Sequence, residues 1–170
     1  MAAVSISAYG LDALARGFAA APDMARAELL ETMHEATMLL EREVKDAMPA
    51  VSGLTRASIT ADAWSTPAGV LGVVGSAQIS AAAVELGTRP HMPPVQALVP
   101  WVQEKLGVPA KDARSVAFLV ARKIARSGTP AQAPFQRTLQ RQASALQRLF
   151  EGAAQRIATR LAGQVGGDAA

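Results

Sequence analysis

Hydrophobic and polar positions follow two periods along this chain, and the switches between them mark out its elements. Leu30, Met33, Thr37, Leu40 and Val44 recur every three or four residues, the stripe of an amphipathic helix ending before Pro49. Glu28, Glu31 and Glu35 are then expected on the opposite, solvated face. Pro22 and Asp23 suit a first helical turn, so the helix is expected to start there. Residues 11–20 read as a separate short helix, and the alternation of Val4, Ile6 and Ala8 reads as a strand over 4–9. Residues 53–56 are a connection. The β-branched residues Ile59, Thr60, Val70, Val73 and Val74 then predict strands over 58–66 and 70–75 around a Thr-Pro-Ala-Gly turn. Val84-Glu85-Leu86 alternates as well and predicts a third strand over 82–86. A sheet this small needs a helix on one face, and the long N-terminal helix is its natural cover.

The helical period returns after residue 94. Leu98, Trp101, Val102 and Leu106 give a helix over 95–106, closed by Gly107, with Pro100 near its first turn. Asp112 is expected to cap a helix over 113–126 with Val116, Val120 and Ile124 inward. Gly128-Thr129-Pro130 stops it. Phe135, Leu139, Leu146, Leu149, Phe150, Ile157 and Leu161 hold one face of a last helix over 134–161. Arg137, Arg141 and Arg148 occupy its other face, with Arg156 and Arg160 at the flank. These elements predict an α+β fold: a small, mostly antiparallel sheet packed by a long N-terminal helix, followed by C-terminal helices. The expected organisation is a single domain over 1–162 and a flexible tail over 163–170.

Between the expected third strand and the next helix lies Gly87-Thr88-Arg89-Pro90-His91-Met92-Pro93-Pro94. Gly87 permits a positive φ, and three prolines fix φ near −65° and push their predecessors to extended geometry. The loop should therefore be stiff and should display Arg89, His91 and Met92. A pre-ordered loop loses little entropy on binding. Met92 reads either as a packing residue or as an anchor at a protein interface, where Met is enriched.

The run VELGTRPHMPP, followed by VQALVPWVQEKLG and later by ARKIARSGTPAQAPFQRTL, resembles the tail-completion or head–tail joining proteins of long-tailed bacteriophages, including minor tail protein Z-like proteins. The likeness covers about residues 53–139. It implies a structural virion protein of the neck, completing the tail or joining it to the head as a homo-oligomeric ring around the DNA channel. It places subunit or neck-partner contacts on Glu85, Gly87, Thr88, Arg89, Pro90, His91, Met92 and Pro93. Other neck and tail proteins are the implied partners, with non-specific DNA contact in the channel. The implied location is the virion, after assembly in the host cytoplasm. A tail terminator or head-closure protein of the same neck is the alternative within the assembly, and a small basic nucleic-acid-binding protein is the alternative outside it.

Composition narrows the chemistry. With no Cys, thiolate catalysis, disulfides and Cys-ligated zinc are excluded. No apolar run approaches the roughly 20 residues of a membrane span, and the first residues lack signal-peptide order. There is no Gly-x-Ser-x-Gly elbow and no Walker motif, and GVLGVVG reads as a strand. Glu85 and His91 have no third ligand at usable spacing, so no catalytic residue, metal or cofactor is expected. His34 reads as a boundary residue. The net charge of +3 hides an asymmetry: 7 basic and 11 acidic residues up to 110, but 10 basic and 3 acidic after it. The Arg face of the last helix then has three readings: a solvated surface, contact with an acidic neighbour, or sequence-independent phosphate binding.

Overall fold

A computed structural model describes residues 11–49 and 53–166. The elements run α1 (Leu11–Ala47), α2 (Leu54–Ala57), β1 (Ile59–Thr66), β2 (Gly69–Ser76), α3 (Ile79–Leu86), α4 (Val95–Leu106), α5 (Ala110–Ser127) and α6 (Pro134–Gly166). The class is α+β, with a long N-terminal helix, an antiparallel two-stranded sheet and C-terminal helices. The strand expected over 4–9 lies outside the described residues.

Three expectations are corrected. Residues 79–86 form a helix, not a third strand. The alternation of Val84, Glu85 and Leu86 is only three residues long. The preceding Ala81-Ala82-Ala83 favours a helix, and Ala81 and Val84, one turn apart, both pack into the core. α1 also runs unbroken through Pro22, which sits inside it at the cost of one backbone hydrogen bond. Finally, α5 begins at Ala110 with Pro109 as its cap residue. Asp112 makes no cap and lies in the first turn, where its negative charge complements the positive end of the helix dipole.

The chain packs as two compact units. The first contains α1 up to Leu39, the hairpin segment Ala61–Val73, and α6 from Gln142 onward. Here α1 is covered on two sides. On one side the hairpin comes so close that a Cβ added at Gly72 would lie 2.6 Å from both Met33 Sδ and Thr37 Cγ2. Only a residue without a side chain fits such an approach. On the other side α6 meets Glu28 and Thr32.

The second unit comprises Leu40–Thr60 and Val74–Arg141. One cluster buries Val44, Met48, Ile59 and Ala81, with Val74, Val84 and Phe135 against it. Burying a side chain such as Ile59 stabilises by about 1.5–3 kcal/mol. A second cluster joins α4 to α5 through Val102, Ala113 and Ala117. The fully buried line on α5 is Ala113, Ala117 and Ala121, with Val116, Val120 and Ile124 half-buried beside it. Alanines four residues apart let two helices approach closely. On α6 Pro134, Thr138 and Ala153 are buried, whereas Leu139, expected inward, is exposed.

Candidate functional site

The loop is built on a repeated local device. α3 ends at Gly87 (φ 72°, ψ −178°) and α5 ends at Gly128 (φ 68°, ψ −159°). This combination is open essentially to glycine alone. Each glycine turns the chain out of its helix, and the threonine that follows pairs with the other. Thr88 N–H donates to the Thr129 carbonyl at 3.0 Å, and Thr129 N–H donates back at 3.2 Å, forming an isolated antiparallel bridge. The two hydroxyls also lie 3.0 Å apart. The approach is so close that a Cβ at Gly128 would sit 1.9 Å from the Thr88 carbonyl oxygen.

Glu85 tightens the same frame from one turn earlier. Its carboxylate accepts the backbone N–H of Phe135 at 2.8 Å and of Gln136 at 3.0 Å, at the start of α6. These N–H groups have no partner within their own helix, and the helix dipole favours a negative charge there. Gln132 N–H adds a bond to the Val84 carbonyl at 2.9 Å. Glu85, Gly87 and Thr88 therefore hold the frame internally and are only part-exposed.

What the frame displays is Arg89, Pro90, His91 and Met92, all exposed. His91 Nδ1–H donates to the Arg89 carbonyl at 2.9 Å; a carbonyl only accepts, so Nδ1 carries the proton. Pro93 is half-buried, and Pro94 (φ −60°, ψ 120°) leads straight into α4 at Val95. Glu85 and His91 are not brought together: each has its own backbone partners. Among the described residues no three His, Asp or Glu side chains gather as metal ligands, and no helix is long and apolar enough to cross a membrane.

Arg137 and Arg141, both exposed, line a shallow depression with Ala47, Gln132 and Pro134. Arg141 donates to the Thr138 hydroxyl at 3.1 Å. Arg148 is also exposed.

Two features escaped the sequence reading. The first is Glu28, expected on the solvated face but 3 % exposed. Arg156 Nε–H donates to its Oε1, and Arg160 lies 2.7 Å from Oε2. Arg156 also reaches the Thr32 hydroxyl at 3.3 Å. The signal was there: Glu28, Thr32 and Ala36 form a second stripe at four-residue spacing, and Arg156 and Arg160 share the phase of buried Ala153.

The hydrogen bond from Arg156 holds the Glu28 carboxyl below its ordinary value of 4.5, with Arg160 adding to the effect against the cost of desolvation. A depressed folded-state pKa gives stability that is present above the unfolded value and is lost as pH falls through the folded one. Glu28→Gln should therefore melt below wild type at pH 7, and the gap should close as pH drops below 4.5. Thermal unfolding from pH 7 to pH 3 checks this; a gap that stays constant would refute it.

The second feature is the outer face of α5. Phe118 and Leu119 are 47 % and 58 % exposed there, and with Val95, Arg114 and Ser115 they line an open groove. Comparison with protein-family models, curated proteins and solved structures finds no match to this chain.

Proposed function

We propose that the protein is a structural subunit of the neck of a long-tailed bacteriophage, completing the tail or joining it to the head, in a ring around the DNA channel. The observation that carries this reading is the pairing of Thr88 with Thr129. The two separate pieces of the motif that resembles neck proteins, Leu-Gly-Thr-Arg-Pro and Ser-Gly-Thr-Pro, meet as one frame. That frame holds Arg89, Pro90, His91 and Met92 on a stiff, solvent-facing loop, a form suited to docking with little entropy lost on binding. The joining role needs no reacting group: it requires a rigid surface repeated by symmetry.

The experiment is removal of the gene from the phage that encodes it, with electron microscopy of the lysate. Filled heads and separate tails are expected. Normal yields of joined, infectious particles would sink the neck reading. Within the neck, the same micrographs separate tail completion from head closure, since loss of the latter leaves heads that leak their DNA.

A further inference from the structure

The geometry points to a contact between copies of this chain, in which the basic outer face of α5 docks on the acidic outer face of α1 of a second copy. The inference deepens the neck reading and rests on it only for the ring that such contacts would build. Residues 111–126 of α5 carry five cations and one carboxylate, Asp112. Phe118 and Leu119 stand exposed among them, beside the groove that Val95 of α4 continues. Arg114, Arg122, Lys123 and Arg126 are exposed, and among the described residues none of them is ion-paired. α1 carries the converse. Over residues 23–38 its one cation is Arg26. Asp23, Glu31, Glu35 and Met38 fall within one sector of roughly 120° on the helix surface. All four are exposed, Met38 by 68 %. Among the described residues none of the three carboxylates is in an ion pair. The pKa of Arg156 is raised chiefly by its hydrogen bond to Glu28, and Glu31 and Glu35 add to that from beyond ion-pair distance.

The two faces match in length, spacing and sign. Each covers the same number of residues and so runs about 22 Å along its helix. With Met38 seated on Phe118, Glu35 and Glu31 lie three and seven residues away. From Phe118, Arg114 and Lys111 lie four and seven residues away in one direction, and Arg122 and Arg126 four and eight in the other. Either sense of crossing therefore sets both carboxylates against cations while Met38 enters the groove beside Phe118 and Leu119. Apolar anchors then supply the affinity, and the charges fix partner and register. A foreign acidic chain would fit α5 but would leave the acidic face of α1 unmatched. Duplex DNA would set phosphates against Phe118 and Leu119 and would be repelled by that acidic face. A second copy satisfies both faces with one contact. Because the two surfaces differ, the contact is heterologous, the kind whose repetition closes into a ring.

The test is analytical ultracentrifugation of the full-length protein over a range of concentrations. The wild type is expected to self-associate, roughly ten-fold more weakly at high salt, which screens the pairs. Arg114→Glu with Arg122→Glu should weaken association by roughly ten-fold or more, and Glu31→Lys with Glu35→Lys should do the same. The deciding measurement mixes these two variants. The unchanged α1 of the first then meets the unchanged α5 of the second, and the two reversed faces also match. The mixture should therefore associate at concentrations where neither variant does alone. Met38→Ser and Phe118→Ser, at exposed positions, should each weaken association by roughly ten-fold, as the loss of an anchor does. They carry the test if a charge-reversed variant fails to give the wild-type melting curve. A wild type that stays monomeric at every concentration and salt would overturn the proposal. So would self-association indifferent to both reversals, or a mixture no more associated than its parts. Tighter binding of a short DNA duplex than of a second copy, unaffected by Phe118→Ser, would make α5 a nucleic-acid surface instead. The gene-removal experiment decides the neck reading separately: joined particles without the gene sink that reading and leave the contact standing, and a monomeric wild type does the reverse.

Discussion

Gly128→Ala is expected to lower the melting temperature by roughly 6–12 °C, the shift that about 3 kcal/mol produces in a protein of this size. Two costs combine. The backbone at Gly128 has φ 68° and ψ −159°, a region that costs a residue with Cβ about 1–3 kcal/mol. The added methyl would also sit 1.9 Å from the Thr88 carbonyl oxygen. That oxygen is fixed from both sides, because it accepts from Thr129 N–H and belongs to the chain that leaves α3. Relief means parting the Thr88–Thr129 bridge, and overpacking of this kind typically costs about 1–3 kcal/mol more. Gly87→Ala should act in the same direction, since its Cβ would meet the Thr129 carbonyl oxygen at 2.5 Å. By contrast, Gly53→Ala meets nothing within 4 Å and carries only the backbone cost of its φ of 72°. Thermal unfolding of the three variants checks the ranking. Equal losses at Gly53 and Gly128 would show that the close approach of the two threonine segments is not what matters.

The sequence revealed most where one side of an element decides its pattern. The hairpin was legible because Ile59, Thr60, Val70, Val73 and Val74 are β-branched, and α4 because Leu98, Trp101 and Val102 face a single partner. α1 was only half legible. A single apolar stripe implies one covered side, but α1 has two. The stripe through Met33 and Thr37 meets the hairpin, and the stripe through Glu28 and Thr32 meets α6. Because this second contact is polar, a hydrophobic pattern could not announce it. α3 was missed for a different reason: three alternating residues fit either period, and only the alanines before them favour the helix. In the candidate site, the stiffness of the loop could be read from its prolines. The frame that holds it could not, because Thr88 and Thr129 are 41 residues apart and nothing local says they pair.

On the proposed neck role, Pro93→Gly with Pro94→Gly should abolish joining while leaving the fold intact. Each change removes a fixed φ and returns freedom to the unfolded chain, a cost of about 0.4–1 kcal/mol per residue. Neither proline donates a hydrogen bond, and the frame behind the loop depends on Gly87, Thr88, Gly128 and Thr129 instead. The double variant should therefore stay helical, with a melting temperature within roughly 2–8 °C of wild type. Its docking should suffer far more. Arg89, His91 and Met92 would no longer be held in one arrangement, and the ordering cost would fall on the binding step at every subunit of a ring. A loss that is modest in one copy multiplies over a symmetric assembly, so phage carrying the variant should accumulate filled heads and separate tails. Circular dichroism, thermal unfolding and electron micrographs of the lysate read the outcome. Normal plaque yields from a well-folded variant would show that residues 89–94 only connect α3 to α4. Loss of helical signal would show instead that Pro93, half-buried, supports the start of α4. In that event His91→Ser with Met92→Ser, both at exposed positions, carries the same test through side chains alone.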